Sequence, residues 1–414
     1  MKKLFILLLA FSWGHIQAQV QQENITFPFE GCEFKGTLYL PEGDGPHPSA
    51  VLIPGSGQND RNGTIQLVGD LMNCLYPGLS GLTLRPYLDL ASALAEGGYA
   101  VLTYDEILVS CPATQNPTFE GFWMPPLGAI DFLKNHDLVD RDKIFLIGHS
   151  EGAMLAPYIF RQKPELVAVV SLGGARTPLD SIMARQIVQF TEMCGGNMND
   201  AQFQANQILD YYNFLRQGFT NLPDLWGATA DDWKRYIQIN DSVAINYNNL
   251  PVPFLMIGMS EDLNVPLSEL ERFKGEIDHP LADFFEVENL NHFMTTNQQP
   301  IVPTSFTDTI LHWLNGAIFS STSDEHSRIE ESLFVFPNPG PGVLRVKLPN
   351  GITSQIHWRV KNIKGQFTGK KGYEYVYPGT DTIELQLEDL PTGTYILEVF
   401  SDGWRQSVKL VIER

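Results

Sequence analysis

KIFLIGHSEGAM, residues 143–154, joins the apolar strand formers Ile144 to Ile147 to Gly148-His149-Ser150-Glu151-Gly152 and then to a small-residue helix start. A serine between two such glycines, after an apolar strand and before a helix, reads as a nucleophile elbow. The turn is sharp and its backbone strained, so positions 148 and 152 need glycine or a similarly small residue to avoid neighbouring backbone. Ser150 then stands at a helix N-terminus whose free N–H groups can receive an anion. Two glycines and a serine at fixed offsets are a modest signal alone; the flanking strand and helix give them weight.

Outward from this stretch, strand-like and helix-like runs alternate. FKGTLYL and SAVLIPG precede a loop, the helical DLASALAEGG, the strand YAVLTYD and the helical PLGAIDFLKNH; LVAVVSL, PFLMIGM and ADFFEVENL follow. Strands as apolar as AVLI and IFLI suit a sheet buried on both faces. The expected fold class is α/β, a doubly wound, mostly parallel sheet. Between 176 and 249 the alternation gives way to helical periods, as in Ile182, Ile187 and Phe190, which predicts an inserted helical cap. Aromatic residues of that insertion, Phe203, Tyr211, Phe214, Trp226 and Trp233, are expected to roof a pocket. Residues 319–332 read as a polar linker, and from 333 to 414 only short strands separated by Pro, Gly and Asn turns remain, a small all-β sandwich.

With 43% hydrophobic and 18% charged residues in 414, the chain can bury a large core and hold two domains. The net charge of −20, most of it before about residue 330, excludes a nucleic-acid-binding surface or a polybasic membrane patch. Residues 1–18 read as a signal peptide, with Lys2 and Lys3 before the apolar run Leu4 to Phe11 and Ala18 suited to cleavage, so residues 19–318 form the expected catalytic domain of an exported protein. Cys32, Cys74, Cys111 and Cys194 could pair in an oxidising compartment; Cys74 with Cys111 is the pair expected here, against a reading of buried thiols.

A serine nucleophile needs a base, and the base an orienting acid. Downstream, VPFLMIGM ends in Ser260-Glu261-Asp262 and DFFEVENL in Asn291-His292-Phe293. Ser150, Asp262 and His292 thus each follow a predicted strand, at the edge where open α/β sheets gather their ligands. Ser150 is the expected nucleophile, His292 the base and Asp262 the orienting acid, with Glu261 its rival. For the oxyanion the expected donors are the N–H of Glu151 and that of Ser56 or Gly57 in the glycine-bearing loop Pro54-Gly55-Ser56-Gly57, with Asp60 and Arg61 bracing the loop by local pairing.

These residues resemble the α/β-hydrolase-fold carboxylesterases of the EstD-like group. The resemblance rests on PGSGQNDRNG at 54–63, IGHSEGA, IGMSEDLNVP and NLNHF, and covers roughly residues 25–318. It implies hydrolysis of carboxylic esters without metal or organic cofactor; a small-molecule or glycan-linked ester is the substrate expected here. A peptidase or acyltransferase on the same fold, and an inactive surface-anchored binding protein, are the alternatives. Two features depart from the group: Tyr104-Asp105-Glu106-Ile107-Leu108 replaces a basic, glycine-containing segment, and the stretch 68–84 is longer. The last eighty or so residues resemble the type A sorting domain of the type IX secretion system, through VFPNPGPGVLRV, VKNIKGQ, LPTGTYILEVFSDG and KLVIER. That likeness implies handling by the type IX secretion machinery, passage through the outer membrane, removal of the domain, and release or surface attachment.

Overall fold

A computed structural model describes residues 20–114, 117–321, 334–336, 342–348, 355–362, 366–375, 382–401 and 404–413. The expected signal peptide and residues 322–332 of the expected linker lie outside them. The strands of the first unit are β1 (Gln21–Phe29), β2 (Cys32–Leu40), β3 (His47–Ile53), the short β4 (Ile65–Gln66) and β5 (Thr83–Leu84), β6 (Ala100–Tyr104), β7 (Val139–His149), β8 (Val169–Leu172), β9 (Phe254–Met259) and β10 (Ala282–Val287). Eight of them form one sheet in the order β1-β2-β6-β3-β7-β8-β9-β10; β4 and β5 pair separately. The hairpin β1–β2 and the β2–β6 pair are antiparallel, and every pair from β6 to β10 is parallel.

The period of two along each strand divides its side chains between two cores. On β3, Val51 and Ile53 face one core while Ala50 and Leu52 face the other. The first is closed by α5 (Pro125–Lys134), α6 (Glu151–Gln162) and α11 (Ser268–Glu276), and the second by α2 (Pro86–Glu96) and α12 (Thr304–Ser321). Covering both faces is what the apolar strands require, each fully buried Leu, Ile or Phe contributing roughly 1.5–3 kcal/mol. Helix α12 runs on to Ser321, into the expected linker.

Topology places the site. From β3 the chain moves to β6 on one side, then returns to lay β7 on the other, so the winding reverses at β3. Ligand crevices open at such switch points, beyond the carboxyl ends of the strands. Ile53 pairs in register with Gly148, so the loop after β3 and the turn after β7 emerge side by side.

The insertion carries α7 (Leu179–Met193), α8 (Met198–Arg216), α9 (Ala230–Asp241) and α10 (Val243–Asn248). Arg216 clamps three of them, donating to Asp180 at 2.8 and 2.9 Å and to Asp241 at 2.9 and 3.1 Å. The aromatic roof differs from expectation. Phe203, Phe214 and Trp226 are 63, 45 and 50% exposed, and the Tyr211 hydroxyl is taken by the Pro223 carbonyl. Only Trp233 is buried, packed on Tyr212, Tyr236 and Trp123 of α4 (Phe119–Trp123), a short helix the sequence reading did not expect.

The expected Cys74–Cys111 bridge is also corrected: the disulfides are Cys32–Cys111 and Cys74–Cys194. Helix α3 (Ile107–Ser110) lies along β2, where the Lys35 N–H donates to Ser110 Oγ at 3.1 Å, and this brings Cys111 to Cys32. Helix α1 (Asp70–Leu75) in the long stretch packs beneath the end of α7, which brings Cys74 to Cys194.

The second unit holds β11 (Phe334–Phe336), β12 (Val343–Lys347), β13 (Gln355–Asn362), β14 (Phe367–Tyr375), β15 (Thr382–Gln386), β16 (Gly393–Ser401) and β17 (Trp404–Ile412). Sheets β11-β12-β15 and β14-β13-β16-β17 share a core with Leu344, Val346, Val360, Leu385, Leu397 and Leu410. Strands β11 and β14 are both edge strands; β14, FTGKKGYEY, is rich in the Lys and Gly that blunt an edge.

Candidate active site

Strand β7 ends at His149 and α6 begins at Glu151, leaving Ser150 between them at φ 54° and ψ −113°. A side chain held there costs of order 1–3 kcal/mol, which the packing around it sustains. A Cβ on Gly148 would lie 2.4 Å from the Gly152 carbonyl oxygen, and one on Gly152 would lie 2.3 Å from that of Ile53. Both elbow glycines are therefore backbone-to-backbone contacts, and the second seats the start of α6 against the end of β3. The Ser150 N–H donates to the Leu172 carbonyl at 2.8 Å, fixing the turn to the neighbouring strand β8.

Asp262 and His292 meet at the far side of the same edge. His292 Nδ1 lies 2.8 Å from Asp262 Oδ2, and both residues are buried. The other oxygen, Oδ1, accepts from the N–H groups of Asn264 and Val265 at 2.8 and 2.7 Å. A carboxylate that accepts three bonds has no freedom to turn; because it only accepts, Nδ1 carries the imidazole proton and Nε2 presents its lone pair. Glu261 is exposed, its carboxylate beside the Asn297 amide at 3.4 Å, away from the imidazole. Gly173, at φ 57°, makes room for the pair: a Cβ there would meet Met259 Cε at 2.9 Å and Asp262 Oδ2 at 3.3 Å. The His292 and His149 rings lie 4.8 Å apart, so the imidazole is carried against the residue that precedes Ser150.

Ser56 and Gly57 form the exposed tip of the loop after β3, with Gly57 at φ 114°. Glu151 opens α6, where the first N–H groups have no partner inside the helix. Asp60 and Arg61 both hold the loop, but not to each other. Asp60 Oδ1 accepts from the N–H groups of Asn62 and Thr64 at 3.0 and 2.8 Å. Arg61 instead makes a two-pronged pair with Asp105 at 3.0 and 2.7 Å and donates to the Gly36 carbonyl, reaching across to β2 and β6.

Several residues that the sequence reading left aside complete the frame. The Gly55 N–H donates to the Tyr87 hydroxyl at 2.9 Å, that hydroxyl lies 3.0 Å from His149 Nδ1, and His149 Nε2 lies 2.8 Å from the His292 carbonyl. A carbonyl can only accept, so Nε2 carries the proton of His149, Nδ1 accepts, and Tyr87 donates to it. Burial, then the His292 ring, depresses the His149 pKa to about 3, which keeps it neutral and the relay in one sense. Glu106 accepts from the Asn59 N–H and amide at 2.6 and 3.0 Å, and Asn59 in turn donates to the Gly55 carbonyl. Desolvation, with a smaller push from Glu151, raises the Glu106 carboxyl to about 8. The Glu151 carboxylate accepts from the Trp123 indole at 3.0 Å, tying the elbow to the aromatic cluster under α9. Tyr87 in the first turn of a helix carries no local signal of this role; Glu106 did stand out, as a departure from a basic segment.

A sheet wound in two directions about β3, with a strained serine and a buried Asp–His pair at its carboxyl edge, defines the α/β-hydrolase class. The chain belongs to the alpha/beta hydrolase family, whose model matches residues 50–303, and it carries a secretion system C-terminal sorting domain over residues 334–413. That domain marks the protein for export, to the cell surface or beyond. Esterase EstD of Thermotoga maritima is 29% identical over 277 residues, 66% of this chain, and the chain spans 60% of that relative's length. Among solved structures, Est1E from Butyrivibrio proteoclasticus aligns over 71% of this chain and 98% of its own, with a TM-score of 0.47 and 15% identity. The esterase Pf2001 of Pyrococcus furiosus aligns over 75% and 98%, with a TM-score of 0.45 and 15% identity.

Proposed function

We propose that the protein is a secreted serine hydrolase that cleaves carboxylic esters through an acyl-enzyme. The observation that carries this reading is the buried His292–Asp262 pair, set against the residue that precedes the strained Ser150. In the proposed reaction Ser150 Oγ attacks the ester carbonyl carbon while His292 Nε2 takes its proton. The tetrahedral oxyanion is held by the N–H of Glu151 and that of Ser56 or Gly57. Collapse expels the alcohol, which leaves with the proton from His292; water, deprotonated by the same nitrogen, then releases the acid and frees Ser150. Asp262 keeps the imidazole in the tautomer that both halves need. The leader at 1–18 and the sorting domain together account for passage across both membranes, the second being removed as the enzyme is released or attached outside.

Nitrophenyl esters of graded acyl length, offered beside an aminoacyl anilide to wild type and Ser150→Ala, test this. Ester turnover that disappears in the variant is expected. Turnover of the anilide alone would move the assignment to a peptidase, and inertness to both would overturn hydrolysis.

A further inference from the structure

The loop after β3 and the first turn of α6 enclose a cavity of about 20 Å3, with Glu106 in its wall at the end of β6. The space admits one oxygen-sized group. It stands beside the nucleophile. Gly55 lines it, and a Cβ on Gly55 would lie 3.1 Å from Ser150 Cβ. Gly57 and Glu151, whose N–H groups are proposed for the oxyanion, line it as well. Phe122, Trp123 and Leu155 make the remaining wall largely apolar.

The two oxygens of Glu106 are placed differently. Oε2 is taken up by the two bonds from Asn59, whereas Oε1 has no partner among the described residues. The side chain is surrounded by protein and yet keeps accessible surface, as a group on a cavity wall does. Around it stand Glu151 from α6, Tyr104 of β6 and Tyr87 of α2, none of them a cation, and the nearby Arg61 is spent on Asp105. An ionised Glu106 would set a second carboxylate beside Glu151 in this enclosure, so desolvation first, and then that neighbour, hold the acid form up to about 8. With Oε2 accepting twice, the proton belongs on Oε1, which becomes a donor left for the cavity.

We propose that Glu106 is a catalytic residue, a neutral acid whose Oε1–H donates to the oxyanion in this cavity as a third donor beside the two backbone N–H groups. It keeps its proton through both halves of the reaction, so no covalent bond forms or breaks at its carboxyl. A carboxylic acid kept neutral by its surroundings can serve a developing negative charge that a carboxylate would repel. The same group sets an upper pH limit on turnover. Once it ionises, the donor is gone and a negative charge faces the oxyanion. The proposal rests on the esterase reading and adds a side chain to its oxyanion hole.

Turnover of nitrophenyl acetate by the full chain, followed from about pH 5 to 10 with the far-UV spectrum recorded at each point, tests this. Wild type is expected to lose turnover reversibly as pH rises past about 8 while its fold is kept. Glu106→Gln still accepts from Asn59 and still offers a donor, so its profile is expected to lack that falling limb. At pH 7 it should stay within about tenfold of wild type, whereas Glu106→Leu, neutral but without a donor, should lose about 10²–10³ in kcat with KM little changed. Because Leu also strips Asn59 of its acceptor, a trifluoromethyl ketone, whose adduct with Ser150 carries the oxyanion, gives a second reading. Wild type should release it above about pH 8 and Glu106→Gln should not. A falling limb that persists in Glu106→Gln, a wild type with no such limb, Glu106→Leu as active as Glu106→Gln, or one pH course for the ketone in both proteins would overturn the proposal. A chain inert to every ester at every pH would instead overturn the esterase reading beneath it.

Discussion

At the scale of single residues the site is held first by a group that never need touch substrate. Tyr87 joins the loop after β3 to the histidine pair, so Tyr87→Phe strands the buried Gly55 N–H and His149 Nδ1. The expected cost is about 1–3 kcal/mol of stability, read by urea unfolding, with kcat lowered more than KM because the frame and not the binding surface is disturbed. Glu106 sets a pH dependence. Its carboxyl, raised to about 8 by desolvation, keeps its proton in the fold after the unfolded chain has released it near the ordinary 4.5. Between those values the folded state binds more protons, so this group's contribution to stability falls as pH rises and is lost above about 8. Glu106→Gln keeps an acceptor for Asn59 and cannot ionise; its melting temperature should fall less than that of wild type between pH 6 and 9. Equal slopes would show that the carboxyl ionises as freely in the fold as in water.

At the scale of elements, two segments deserve comparison, the elbow and the insertion. The elbow is dictated by backbone contact: Gly152→Ala would drive a methyl into the Ile53 carbonyl, so α6 must back away from β3 and ester turnover should drop at least a hundredfold with the far-UV spectrum kept. The insertion is held instead by Arg216. Arg216→Ala leaves Asp180 buried without its cation, at an expected cost of about 1–3 kcal/mol, less than for a fully buried pair because a third of the arginine side chain meets solvent. Proteolysis within 176–249 should quicken in that variant. This contrast also separates what could be read from the chain and what could not. Apolar strands buried on both faces announce themselves, and so do the segments at their ends, which is why the parallel sheet was legible and the positions of Ser150, Asp262 and His292 at its carboxyl edge could be read. Phe203 and Phe214 were read as a roof because aromatic identity says nothing of which helix face turns inward. Cysteine pairing, the Arg61–Asp105 pair and the Tyr87 relay depend on segments far apart in sequence, and no local pattern records them.

On the scale of the whole molecule the sorting domain rests on the last strand of the hydrolase sheet. Asp283 of β10 accepts from the Trp313 indole at 2.9 Å and pairs with Arg359 of β13, while the rings of His312 and His357 lie 4.3 Å apart. The contact is made by side chains, and β10 stays the last strand of its sheet, paired to β9. The two disulfides act over longer spans, closing 79 and 120 residues. In the chain-entropy account a loop near a hundred residues gains up to about 4.7 kcal/mol, so reduction should lower the melting temperature by many degrees, with Cys74→Ser and Cys32→Ser each giving part of the loss.

Each bridge also fastens a different wall of the crevice. Cys32–Cys111 pins the segment after Glu106, and Cys74–Cys194 pins the end of α7 above the aromatic contact of Tyr76 with Phe293. A newly made chain in a reducing cytosol holds four thiols instead, and its crevice is left unbraced among the producer's own lipids and metabolites. The braced crevice is then completed only in an oxidising compartment, outside the cytosol where the chain is made.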